Sequence, residues 1–171
     1  MTTPHAHAVR QLRVLARERG FGCTVGSDRL VQAGLDALLA GVESPSLPLL
    51  AGLGRKEESE ARELFDTVLE ELGLGFRAPA DPVAARWALA YWLASRIADG
   101  SLDPLTGADR IRADAATELD HPGALEPIVR LARHAADWNE NWDPPLAELS
   151  DGVLQAAREL LGTRSSADLE L

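Results

Sequence analysis

Oxygen-bearing side chains recur at alternating positions in Asp137–Glu148, DWNENWDPPLAE. Counted as a twelve-residue calcium loop, the stretch has Asp137 at the first position, Asn139 at the third, Asn141 at the fifth and Glu148 at the last. That spacing is how an EF-hand surrounds Ca²⁺ with oxygens and closes the shell with a bidentate carboxylate. The backbone requirement is not met. The sixth position asks for glycine at positive φ and holds Trp142, and the eighth is Pro144, which has no amide hydrogen. Asn and Asp are also ordinary turn and cap residues, and Trp138 and Trp142, four apart, are spaced to pin a helix end onto a core. The stretch reads first as an anchored loop, with calcium held by Asp137, Asn139, Asn141 and Glu148 as a minor alternative.

Other chemistry-bearing residues are sparse. Glu118 and His121 have the i,i+3 spacing of a di-iron carboxylate–histidine motif, but such a centre needs two copies, and His121 precedes Pro122 at a helix boundary. His134 and Asp137 share a helix face near its C-terminus, where a cation is favoured. His5 and His7 fall in an N-terminal tip predicted to be disordered. Cys23 lies between helices with no histidine placed beside it and reads as a half-buried filler rather than an activated thiolate. The chain contains no GxSxG elbow, phosphate-cradling glycine loop or HExxH. The sequence therefore predicts no catalytic residues and no cofactor. A ligand pocket lined by Trp87, Tyr91, Trp92, Trp138 and Trp142 is the alternative, in which the protein is an enzyme or small-ligand binder.

Composition bounds the partners. The 171 residues carry 27 acidic and 17 basic side chains, a formal charge of −10. That balance opposes phosphate backbones and anionic lipid, so neither nucleic acid nor membrane is expected as a partner. The first two helices are separated by GFGCTVG, longer than a helix-turn-helix allows, and the would-be recognition helix carries only Arg29. A single cysteine suits a reducing compartment, and no window approaches the roughly 20 apolar residues of a membrane span, so a cytoplasmic location is expected.

The elements that position these residues are helical. Leu and Ala occur 28 times each against 12 for Val plus Ile, and no segment alternates as a strand does. Punctuation places helices over 5–19, from a cap at Ser27 with Leu30, Val31, Leu35, Leu38 and Leu39 inward, over a short turn after Ser44–Pro45, and over 55–72 ending at Gly73. Four more run from an Asp81 cap over 82–98, from an Asp103–Pro104 start to about Leu119, from Pro122 to about Asp137, and from Pro145 or Leu146 to Leu161. Helix 82–98 is apolar almost all round, so it should form the centre, with Trp87, Tyr91 and Trp92 filling the core. The expected architecture is one all-α domain over 1–171, a bundle of about seven helices around 82–98, with 1–4 and 163–171 frayed.

The segment IADGSLDPLTGADRI, Ile97–Ile111, resembles the helix–Gly–x–Leu–Asp–Pro–x–x–Gly–Ala–x–x–Ile junction of assorted small, uncharacterised all-helical bacterial proteins. The resemblance covers 15 residues, supports the fold and brings no activity with it. With no reaction chemistry in view, the sequence points to a non-catalytic acidic domain that binds or neutralises a protein partner, with a basic one favoured by charge. The predicted contact surface is the glutamate-rich face of helix 55–72, with Glu57, Glu58, Glu60, Glu63, Glu70 and Glu71. Self-association into a homo-oligomer is also compatible with the sequence.

Overall fold

The computed structural model describes residues 3–164, apart from the side chain of Glu58. Its α-helices are α1 (Pro4–Gly20), α2 (Ser27–Leu39), α3 (Leu47–Ala51), α4 (Glu58–Leu72), α5 (Pro82–Ala98), α6 (Pro104–Arg110), α7 (Glu126–Ala136) and α8 (Leu146–Gly162). No strand occurs among the described residues. The described residues are thus all-helical in their regular structure, as the excess of Leu and Ala over β-branched residues predicts. The chain's contacts gather in two units, Met1–Ala78 and Pro79–Leu171.

In the first unit α1 begins with Pro4 in its first turn, and the Thr3 hydroxyl accepts the Ala6 amide hydrogen at 3.2 Å. His5 and His7 are therefore helical rather than disordered. The core joins Leu12, Leu15, Leu30, Leu47, Leu50, Phe65 and Val68 from all four helices. Helix α2 departs from expectation at both ends. Its N-cap is Gly26, with Ser27 already helical, and Leu38 and Leu39 are exposed. Leu30 is buried as expected, and Ala33, Gly34 and Ala37 complete the inner face. The cause is α3: a Cβ on Gly34 would lie 2.8 Å from two carbons of the Leu50 side chain, so only small residues admit so close an approach. Arg19 of α1 makes a two-pronged ion pair with Asp66 of α4, the second contact at 3.1 Å, and lies over the Phe65 ring.

In the second unit α5 packs against α8, α6 and the turn that follows α6. Asp81 caps α5, its carboxylate accepting the Ala84 amide hydrogen at 2.8 Å. The buried face is Leu89, Ala90, Leu93, Ala94 and Ile97. Trp87, Tyr91 and Trp92, expected to fill the core, are half-buried. An α-helix cannot turn five consecutive positions inward, and the residues at 89, 90, 93, 94 and 97 already complete the inner stripe. The aromatic residues flank it: Trp87 and Tyr91 rings are 5.8 Å apart, Arg96 covers Trp92, and Arg164 covers Tyr91.

The junction after α5 follows its predicted logic. Gly100 takes positive φ, and Asp103 caps α6 by accepting from the Thr106 amide and hydroxyl. Gly107 and Ala108 are buried against α5, with Gly107 lying directly on Ile97. The expected continuous helix to Leu119 instead widens into a π-helical turn over Ile111–Ala116. Beyond it, Asp120 and His121 both take positive φ, and the His121 amide closes the end by donating to the Ala116 carbonyl at 2.8 Å. That is the cap a glycine usually makes. A 3₁₀ turn at Gly123–Leu125 then leads into α7, so the α-helix begins four residues after Pro122.

Candidate functional site

The loop between α7 and α8 is built by hydrogen bonds that converge on Asp143 and Asn139. Asp143 Oδ1 lies 2.7 Å from His134 Nε2, and Oδ2 accepts the Asn139 amide hydrogen at 2.7 Å. An ionised carboxylate can only accept, so the imidazole proton in the first contact is on Nε2. The Asn139 side-chain oxygen accepts the Asn141 amide hydrogen at 2.9 Å, an Asx turn, while its carbonyl accepts from the amides of Trp142 and Asp143. The indole of Trp138 donates to the Pro144 carbonyl at 2.9 Å. The prolines then end the turn, because neither 144 nor 145 has an amide that could continue it.

The His134 hydrogen bond, the Asn139 amide and the histidine's charge hold the Asp143 carboxyl below the usual aspartate range against a smaller opposing effect of burial. Asp143 was not among the residues singled out from sequence. The available clue was an aspartate immediately before Pro-Pro and nine residues after a helical histidine.

The four calcium candidates do not share a centre of this kind. Asp137 is the exposed C-cap of α7, Asn139 uses its oxygen on Asn141, and Glu148 is exposed in the first turn of α8. Trp142 keeps a negative φ, since Asp120 and His121 are the non-glycine residues at positive φ among those described. Among the described residues no group of three His, Cys, Asp or Glu side chains could hold a metal ion.

The five aromatic pocket candidates separate by exposure. Trp138 is half-buried and hydrogen-bonded, as are the flanks of α5 half-buried, whereas Trp142 is 86% exposed at the tip of the loop. A side chain so open to water cannot line a closed cavity. Trp138 acts as the pin expected of it, and Trp142 does not.

The glutamates of 55–72 also divide. Glu71 accepts from the Ser44 hydroxyl, the Ser46 amide at 3.0 Å and the Ser46 hydroxyl at 2.7 Å, tying the turn before α3 to α4. Those contacts, led by Ser44, hold its carboxyl below the usual range. Glu57 accepts the Gly54 amide hydrogen at 3.0 Å and closes the turn before α4. Glu60, Glu63 and Glu70 are exposed, with side chains free of hydrogen bonds and ion pairs among the described residues. The Glu58 side chain lies outside the described residues.

No protein-family model, curated protein or solved structure matches this chain. Among the described residues no helix is long and apolar enough to cross a membrane.

Proposed function

We propose that the chain is a non-catalytic interaction module that seats Trp142 in a basic protein partner. The observation that carries this reading is the exposure of Trp142, 86%, on a loop whose backbone is held by its own side chains. Tryptophan is the side chain most enriched among residues that dominate binding energy, and a loop already ordered loses little entropy when it docks. His134 and Asp143, the histidine–carboxylate pair of this loop, are engaged in holding it.

Charge selects the partner. Asp137, Glu140 and Glu148 are exposed on or beside the loop, Glu60, Glu63 and Glu70 are exposed on α4, and the whole chain carries −10. Such a field raises the association rate of a cationic protein and repels phosphate backbones. The cytoplasm is the compartment we propose, where a lone thiol such as Cys23 stays reduced.

The test is quantitative capture from host extract by the full chain, its Trp142→Ala variant and a Glu60→Gln/Glu63→Gln/Glu70→Gln variant. Removing the indole should weaken binding of the captured protein by at least roughly 30-fold, a loss of about 2 kcal/mol. The glutamine variant should mainly slow association and flatten its salt dependence. Equal capture by wild type and Trp142→Ala would remove the proposal.

A further inference from the structure

The first unit carries a trough along α1. His5, Val9, Arg13 and Arg17 recur every four residues along α1, so they lie on one face over about 18 Å of helix. Two adjoining clefts of about 400 and 180 Å³ follow that face and share Arg13 and Leu74. In the larger one, Val9, Val42, Leu72 and Leu74 supply the apolar lining, and all four belong to or pack on the core of this unit. The smaller one continues over Gly73, Gly75 and Phe76, with the Arg17 guanidinium 5.0 Å from the centre of the Phe76 ring. Arg13 is exposed where the clefts join, and its side chain makes no hydrogen bond, ion pair or ring contact among the described residues.

We infer that this trough binds a medium-chain aliphatic carboxylate, its head on Arg13 and its tail along Val9, Val42, Leu72 and Leu74. The apolar lining calls for a hydrocarbon, and Arg13 supplies a planar donor fork suited to a carboxylate. The rim limits the charge of the head. Glu43 lines the larger cleft, and the C-terminal ends of α2 and α4, at Gly41 and Gly73, border the trough with partial negative charge. These negative groups oppose a dianionic phosphate more strongly than a singly charged carboxylate. Eight residues separate Arg13 from His5, about 12 Å of helix, a length that an extended chain of about ten carbons spans.

The experiment is isothermal titration of the full chain with sodium decanoate, below the concentration at which decanoate forms micelles. Saturable one-to-one binding is expected, at least tenfold weaker for 1-decanol and for the Arg13→Gln variant at an unchanged melting temperature. A second variant, Leu74→Glu, places a like charge beside the tail and should abolish binding while leaving Arg13 intact. Absence of saturable binding, equal binding of decanol, or full affinity in either variant overturns the assignment. Because Trp142 plays no part in the trough, Trp142→Ala should bind decanoate as the wild type does.

Discussion

Gly107 offers a sharp test of how the second unit is packed. A Cβ at this position would lie 2.6 Å from both Cδ1 and Cγ1 of Ile97 and 3.1 Å from Leu102 Cδ2, where ordinary carbon contacts are about 3.5–4.0 Å. Ile97 is 1% exposed and Ala108 fully buried, so the displaced side chain has no open space to enter. Inserting a methyl into such a site costs about 1–3 kcal/mol, and the better helix propensity of alanine returns up to about 1 kcal/mol. Taking the middle of each range, Gly107→Ala should destabilise the second unit by about 1.5 kcal/mol. For a unit of this size each kcal/mol lowers the melting temperature by about 4–8 °C, readable by calorimetry or circular dichroism. Ile97→Val removes Cδ1 and should cost about 0.5–1.5 kcal/mol alone, but less in the Gly107→Ala background, because the methyl it deletes is then one in the way. If Gly107→Ala leaves the melting temperature unchanged or raises it, or if the two substitutions simply add, close approach is not the reason for this glycine.

The two loop tryptophans should separate under mutation. Trp142 is 86% exposed, which leaves roughly 30 Å² buried of a side chain of about 200 Å², so Trp142→Ala should cost no more than about 0.7 kcal/mol in thermal unfolding. Trp138→Phe, which keeps an aromatic ring but deletes the bond to Pro144, should cost about 1 kcal/mol. The Asp143 carboxyl titrates lower in the folded chain than in the unfolded one, so its contribution is complete above the unfolded value and disappears as pH falls through the folded one. Carbon-detected NMR of Asp143 should place its midpoint below the ordinary aspartate range, and His134→Ala should move it up. Asp120 occupies a left-handed cap position, so Asp120→Gly should stabilise the protein by about 0.5–1 kcal/mol in denaturant unfolding, and a loss of stability would contradict the cap described.

Where a helix boundary depends on residues beside it, the sequence was readable. Asp81 and Asp103 cap and Pro82 and Pro104 open α5 and α6 at the expected positions. Features created by distant partners were not. Leu38 and Leu39 satisfy helical periodicity, yet α3 reaches α2 through Gly34, and no local pattern announces which face a later helix will cover. The half-burial of Trp87, Tyr91 and Trp92 has the same origin: an apolar composition all round does not say which stripe its neighbours will choose. At the site, Asn139 was legible in a turn-forming stretch, but the grip it shares with Asp143 depends on His134 one helix back. The exposure of Trp142 follows from that grip and from the prolines behind it, and hydrophobicity alone argues the opposite.

The π-helical turn at Ile111–Ala116 has a consequence for how this helix tolerates changes in length. A π turn accommodates one residue more than the α-helical turn it replaces. Ala113 is exposed within it, whereas Ile111, Ala115 and Ala116 are buried. Excising Ala113 would therefore let the segment relax into regular α-helix with its inward positions still aligned, so a single-codon deletion here should be absorbed where it occurs instead of shifting the register of everything downstream.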